Sequence, residues 1–281
     1  MSEPVVTTAE LVRRALPPRP RDAHKGSFGR VYILGGCVGY TGAPVLAARA
    51  AVRTGSGLVH LGVPAEIWPV VAVKCDEAMP APLPQDPEEL LERIAPCDAL
   101  LVGPGLGLAP RTRELILLVA RRAQCPLILD ADGINAVAGH IDVLDGRAGR
   151  LTVLTPHEGE LARLLGRPPR QGNRTAEAAE FARAHGCVLV RKGRGTVTAF
   201  PDGEIYVNQT GNPGMAKGGS GDVLAGMVLS LLGQGIPPKE AVPAAVWLHG
   251  RAGDLCAEEK GEYGMTPTDM IERIPYAIKT V

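Results

Sequence analysis

Along the chain, short runs of β-branched and aliphatic residues alternate with longer stretches in which apolar positions recur every three or four residues. The short runs predict buried strands: V-Y-I-L-G-G at 31–36, G-L-V-H-L-G-V at 57–63, A-L-L-V-G at 99–103, P-L-I-L-D at 126–130, L-T-V-L at 151–154 and C-V-L-V-R at 187–191. The longer stretches predict helices over 43–53, 110–123, 158–165, 175–185, 221–232, 239–259 and 267–278, several of them opened by Ser, Thr, Asp or Pro. Strands that alternate with helices in this way form a parallel sheet with crossover helices on its faces. Near the end of the series, T-V-T-A-F at 196–200 and E-I-Y-V-N at 204–208 flank P-D-G, a turn signal that predicts an antiparallel hairpin at one end of the sheet.

No break along the pattern reads as a domain linker, so one α/β domain is expected over 1–281, with 1–22, rich in Pro and Arg at L-P-P-R-P-R-D, as an N-terminal arm. The segment P-A-P-L-P-Q-D-P at 80–87 is expected to be a loop joining a strand to the next helix.

Composition narrows the function classes. A chain of 281 residues that is 45% hydrophobic with zero formal net charge describes a globular protein without the basic footprint of a nucleic-acid binder. No apolar run approaches the roughly 20 residues of a membrane helix, and M-S-E-P-V-V-T-T-A-E lacks the basic-then-apolar order of a secretory signal, so the cytoplasm is the expected location. The six cysteines are scattered without C-x-x-C spacing and are expected to be reduced and mostly buried. Two sequons, at Asn173 and Asn208, are chance matches if the chain is not secreted.

The chemistry gathers where strands are expected to end. G-P-G-L-G at 103–107 follows a strand but lacks the remaining glycine of a dinucleotide fingerprint, and Lys217 stands in no Walker spacing. The stretch G-N-P-G-M-A-K-G-G-S-G-D-V-L-A-G at 211–226 places glycines and one acid at the start of an apolar helix. Amides at such a terminus suit phosphate or a developing oxyanion. Asp222 then reads either as an acid complementing the helix dipole or as a general base beside an anion hole, and the clustered glycines favour the base. Asp130 and Asp132, in L-D-A-D-G-I-N, are candidate Mg²⁺ ligands, joined by Asn135 and Glu160 through water; helix capping and a loop hydrogen bond are the alternative.

The 211–226 stretch closely resembles the signature of the ADP-dependent NAD(P)H-hydrate dehydratases, a branch of the ribokinase-like superfamily that carries G-G-[ST]-G-D at this turn. H-K-G-S-F-G-R-V-Y-I-L-G-G, Y-T-G-A-P-V-L-A-A-R-A-A, R-T-G-S-G-L-V, D-A-L-L-V-G-P-G-L-G, L-D-A-D-G-I-N, T-P-H-E-G-E and K-G-R-G-T follow in the family's order, over roughly residues 20–280. The resemblance implies a three-layer α/β/α sandwich of ribokinase-like type. It also implies ADP-dependent repair of the S epimer of hydrated NADH or NADPH (NADHX, NADPHX): the hydrate hydroxyl is phosphorylated, AMP is released, phosphate leaves and the dihydronicotinamide returns.

Carried over by position, Asp222 contacts the hydrate hydroxyl, and Gly219, Ser220 and Gly221 supply the anion hole. Lys192, Gly193, Arg194, Gly195 and Thr196, together with Gly221, take the adenine nucleotide. Ala43, Gly105 and His157 touch the hydrated dinucleotide. His24 and Lys25 are expected to shape the entrance, and Lys217 could add charge near the nucleotide. His249 is expected to be a packing histidine. Mg²⁺ as cofactor, a homotetramer and a separate epimerase, because the chain is too short to include one, complete the implied picture. A small-molecule kinase of the same fold, acting on a vitamin precursor or sugar, is opposed by T-P-H-E-G-E and H-K-G. A nucleotide-binding module without turnover is opposed by the intact G-G-S-G-D.

Overall fold

The computed structural model describes residues 3–170 and 172–281. Its strands are β1 (Val5–Val6), β2 (Arg30–Leu34), β3 (Leu58–Val63), β4 (Met79–Pro82), β5 (Ala99–Val102), β6 (Leu127–Leu129), β7 (Thr152–Leu154), β8 (Val188–Arg191), β9 (Val197–Ala199) and β10 (Ile205–Val207). They form one sheet in the order β1-β10-β9-β8-β7-β6-β5-β2-β3-β4. Every neighbouring pair is parallel except β8 with β9 and β9 with β10, so β9 alone runs against the rest.

Side chains alternate across this sheet because strand periodicity is two. Val31 and Ile33 of β2 enter one core, and Tyr32 and Leu34 enter the other. Both faces are covered, which is why the strands read as apolar runs rather than as alternating patterns. One layer holds the helices Gly42–Thr54, Ser220–Gly233, Pro238–Gly264 and Pro267–Lys279; the other holds Pro87–Ile94, Pro110–Arg122, Asp132–Val137, Glu158–Leu165 and Arg174–Ala184. This is the expected three-layer α/β/α sandwich with its hairpin.

Three expectations are corrected. Residues 5–15 of the expected arm are part of the domain: β1 pairs with β10, and Val12 and Ala15 of the helix Ala9–Ala15 are fully buried in the core. The segment expected as a loop from Pro80 begins inside β4, paired with β3 at the sheet edge. Prolines lack the amide a central strand must donate, but an edge strand can leave that side unpaired. The long helix runs to Gly264 with a break at Gly261 (φ 71°), beyond the expected end at 259.

Successive parallel strands step outward from β2 to β3 and β4, then the chain crosses back to β5 and proceeds through β6, β7 and β8. The order reverses between β2 and β5. Ligands of open parallel sheets sit beyond the carboxyl ends of the strands, near such a reversal.

Candidate active site

A cleft of about 1310 Å³ opens along the carboxyl ends of β6, β7 and β8 and is roofed by the start of the helix Ser220–Gly233. Its wall brings together Asp130, His157, residues 192–196 and residues 219–222, which lie as much as 92 positions apart in sequence, from 130 to 222.

The turn at 219–222 explains part of the glycine-rich stretch. Gly219 is the helix N-cap at φ 103°, and a Cβ there would lie 2.7 Å from Leu46 Cδ1 and 3.0 Å from Pro267 Cγ. Only glycine fits that conformation at that approach. The Ser220 amide donates to Lys217 O at 3.2 Å, whereas the amides of Gly219, Gly221 and Asp222 have no backbone partner among the described residues. Free amides at a helix start form an anion-binding site. The Ser220 hydroxyl, expected to contribute to the anion hole, is instead buried and donates to Met270 Sδ at 3.8 Å. The donors this turn offers to the cleft are therefore main-chain amides.

Asp222 projects from the first helical turn into the cleft and makes no hydrogen bond or ion pair among the described residues. Burial, reinforced by Asp130 and opposed by Lys192, with Glu160 and Asp132 adding to the rise, pushes its carboxyl up to about 7. An acid that merely complemented a helix dipole would be shifted downward. The upward shift is the opposite of what dipole complementation alone produces, and it is the direction a general base at neutral pH requires.

Asp130 sits 2% exposed at the end of β6 under opposite conditions. Its Oδ1 accepts from Thr155 Oγ1 at 2.7 Å and from Lys192 Nζ at 2.9 Å. Lys192 also stands 3.8 Å from Glu160. Burial opposes the lysine charge, but Asp130, Glu160 and Asp222 outweigh it and raise its pKa. Between Asp130 and Asp132, Ala131 adopts φ 48°, the one positive-φ residue other than glycine among the described residues. Strain of this kind is held in place only where surrounding contacts over-determine it.

The two candidate metal ligands separate on inspection. Asp132 Oδ2 accepts from the Gly107 amide at 2.8 Å and Oδ1 from Asn135 Nδ2 at 3.2 Å, so this carboxylate ties the G-P-G-L-G turn to the start of the helix Asp132–Val137. Asp130 keeps Oδ2 free of hydrogen bonds, and no group of three or more His, Cys, Asp or Glu able to hold a metal occurs among the described residues. A single carboxylate oxygen fits Mg²⁺ only in the manner of nucleotide sites, in which phosphates and water supply the other ligands.

His157 caps the helix Glu158–Leu165. Its Nδ1 accepts from the amides of Gly159 (2.9 Å) and Glu160 (3.3 Å), while Glu160 Oε2 accepts from the His157 amide at 2.8 Å. An accepting Nδ1 puts the proton of the neutral ring on Nε2, which lies 3.3 Å from Glu160 Oε1. Half of T-P-H-E-G-E is thus a capping box, and the ring also faces the cleft.

The loop K-G-R-G-T turns at Gly193 and Gly195, and Thr196 Oγ1 closes it on Gly193 O at 2.9 Å. Arg174, absent from the sequence reading, underpins it by donating to the carbonyls of Arg191, Lys192 and Arg194 at 3.1–3.3 Å. Arg191 is 1% exposed and binds Glu158 through two nitrogens and Glu177 through a third. Truncating one partner of such a buried network leaves uncompensated charge, which fixes the loop in place. The only sequence signal for Arg174 is its position after the N-cap Asn173.

Other expected residues fall elsewhere. Ala43 and Gly105 do not line the cleft; they meet on its shoulder, at the reversal of strand order, where a Cβ on Gly105 would lie 3.2 Å from Ala43 Cβ and 2.9 Å from Tyr40 Cβ. Gly105 has φ 64°, so its backbone and its neighbours both require glycine. His24 and Lys25 precede β2, at the amino end of the sheet, and do not shape the entrance; Gly57 packs against Lys25 O there. Lys217 lines the cleft with its Nζ tied to the carbonyls of Tyr263 and Met265, as an anchor of the turn. Asn208 is buried and hydrogen-bonded to Thr210, which closes off that sequon.

His249 is more than a packing residue. It lines the cleft, and its Nε2 lies 2.9 Å from Ser220 O. A carbonyl only accepts, so Nε2 carries the proton. Burial, with Lys192 adding and the Ser220 carbonyl opposing, pushes the imidazole down to about 4, so it is neutral at pH 7. Its neighbour Gly250 packs on Thr210, whose hydroxyl donates to Trp247 O at 2.8 Å. One stretch, 247–250, thereby supports two walls of the cleft.

Comparison with known proteins adds three findings. The sequence family described as NAD(P)H-hydrate dehydratase matches residues 31–276. The bifunctional NAD(P)H-hydrate repair enzyme of Moorella thermoacetica is 44% identical over 98% of this chain and 54% of its own length, and the ADP-dependent (S)-NAD(P)H-hydrate dehydratase of Neisseria meningitidis serogroup B is 39% identical over 92% of this chain and 87% of its own. The chain spans about half the length of the bifunctional relatives it matches. The crystal structure of the Bacillus subtilis ADP/ATP-dependent NAD(P)H-hydrate dehydratase, obtained with ATP and Mg²⁺, superposes with a TM-score of 0.86 at 32% identity, covering 100% of this chain and 99% of that one.

Proposed function

The chain belongs to the NAD(P)H-hydrate dehydratase family, and from that premise we propose that it is an ADP-dependent dehydratase that returns the S epimer of NADHX or NADPHX to NADH or NADPH. The observation that carries the reading is Asp222: an unpaired carboxylate pushed up to about 7, beside free helix-terminal amides and opposite Lys192.

The geometry supports a sequence of simple steps. ADP lies along K-G-R-G-T, held by Lys192, Gly193, Arg194, Gly195 and Thr196, with its phosphates toward Gly219 and Gly221. The hydrated ring lies between Asp222, His157 and the Ala43–Gly105 shoulder. Asp222 takes the proton of the ring hydroxyl as its oxygen forms a bond to the terminal phosphorus of ADP, and the bond from phosphorus to the AMP oxygen breaks. The free amides and Lys192 stabilise the charge that develops on the transferring group. Phosphate then leaves the ring carbon with the bonding pair, pushed by the ring nitrogen, and loss of a neighbouring proton restores the double bond. Atoms balance as hydrate plus ADP giving reduced dinucleotide, AMP, phosphate and a proton. When bound with the nucleotide, Mg²⁺ would neutralise phosphate charge, and Asp130 would hold it through Oδ2, which carries no hydrogen bond among the described residues.

The same reading takes the protein to be a cytoplasmic homotetramer. Among the described residues no helix is long and apolar enough to cross a membrane, and the six cysteines are free.

The test incubates purified protein and Mg²⁺ with chemically prepared NADH hydrate and either ADP, ATP or no nucleotide, and follows the dihydronicotinamide absorbance. Recovery with ADP, together with stoichiometric AMP, is expected. Nucleotide binding without recovery with either nucleotide would remove the dehydratase reading.

A further inference from the structure

A second cavity, of about 480 Å³, opens on the same carboxyl edge and is lined by Leu108, Arg113, Asn135, Ala138, Gly139 and Arg163. Two guanidiniums face it and no carboxylate does. Many exposed arginines of this chain are spent on acids, as Arg53 is on Glu272 and Arg122 on Glu88. Among the described residues the Arg113 guanidinium makes no hydrogen bond or ion pair, and that of Arg163 uses only Nη1, on Asn135 Oδ1 at 2.9 Å. Two arginines whose forks are left open suit a phosphate monoester, which takes several charge-assisted hydrogen bonds at once.

The cavity is joined to the candidate active site by covalent and hydrogen-bonded links. Leu108 follows Gly105 by three residues on one turn, and Arg163 lies six residues after His157, about 9 Å along its helix. Asn135 bonds Asp132, and Asp132 bonds the Gly107 amide, so the arginine pocket and the G-P-G-L-G turn move as one unit. With ADP occupying the K-G-R-G-T side of the main cleft, a dinucleotide whose hydrated ring meets Asp222 must carry its adenosine end away, past Gly105. Leu108, on the same turn as Gly105, lines the second cavity and with Ala138 supplies its apolar contacts.

We propose that the Arg113–Arg163 cavity is the subsite for the 2′-phosphate on the adenosine end of the hydrated dinucleotide, which makes NADPHX the preferred substrate. This inference rests on the dehydratase reading. A pyrophosphate has the same chemistry but is common to both hydrates, so comparing the hydrates separates the two sources.

The experiment measures kcat/KM for NADPHX and NADHX with saturating ADP in the wild type and in the double variant Arg113→Gln, Arg163→Gln, alongside calorimetric binding of NADPH and NADH to both. The wild type is expected to favour the phosphorylated form at least about tenfold in both measurements, and the double variant to bring both ratios toward one. Misfolding would lower both hydrates together and leave the ratio intact. A wild-type ratio near one, or a ratio left unchanged by a double variant whose thermal unfolding matches that of the wild type, would each overturn the subsite. If neither hydrate is turned over, the dehydratase reading has failed instead, and the NADPH-against-NADH binding ratio still decides the subsite.

Discussion

The end of β6 and the start of the helix Ser220–Gly233 each present an aspartate to the same cleft, and the two carboxylates have opposite surroundings. Asp130 is almost fully buried yet holds a threonine hydroxyl and a lysine within 2.9 Å, which stabilise its charge. Asp222 has free amides behind it, no hydrogen bond to its oxygens and other carboxylates nearby, and it is pushed up to about 7. Burial alone does not set a carboxylate's behaviour; the number of donors it has been given does. The β6 region is a charged foundation, whereas the helix start is left short of donors, and a carboxylate short of donors takes protons.

The largest effect should come from removing the unpaired acid. Asp222→Asn is expected to lower kcat by about 10³-fold, within the span of a lost general base, while the ADP dissociation constant measured by calorimetry changes little. The same variant should be more stable than the wild type at alkaline pH. Because folding raises the Asp222 pKa above the unfolded value, its contribution to stability is complete below about pH 4 and is lost as pH climbs through about 7. Thermal unfolding at pH 8 should therefore favour Asp222→Asn by about 1–2 kcal/mol, with the advantage fading by pH 5.

Breaking the foundation should cost stability as well as rate. Lys192→Met leaves Asp130 buried without its cation, and a loss of roughly 3 kcal/mol in denaturant unfolding is expected at pH 7. It also deletes the charge that holds Asp222 down, so the acid limb of the rate profile should move to higher pH.

A smaller effect tests how the helix start is aimed. His249→Leu removes the donor to Ser220 O and should lower kcat by about tenfold, whereas His249→Gln, whose amide can reach the same carbonyl, should stay within about threefold. Equal losses in both variants would assign His249 to packing alone.

Much of this was legible because periodicity reports burial: the apolar runs predicted every strand from β2 to β10 except β4, and each long helix within a few residues. β4 was hidden by Pro80 and Pro82, which argue against a central strand and say nothing about an edge. β1, two residues long, is too short for any period to register. At the site, motif positions located Asp222, Lys192 and His157, but not what each atom does. The Ser220 hydroxyl, Oδ2 of Asp132 and the imidazole of His249 are committed by rotamer and by partners distant in sequence: Met270, Gly107 and Ser220 itself. A sequence without coordinates places such groups in the right loop and leaves their direction open. Arg174 was missed for the same reason, since its partners are main-chain carbonyls 17–20 residues away.

The most direct measurement is the pH dependence of kcat/KM for ADP-dependent hydrate dehydration between pH 5 and 9, in the wild type and in Asp130→Asn. The wild-type rate should rise with pH through an inflection near 7 as Asp222 loses its proton, and removing the neighbouring charge in Asp130→Asn should shift that inflection downward, by up to about one unit. A flat profile across this range, or an inflection that Asp130→Asn leaves in place, would contradict the assignment of Asp222 as the base.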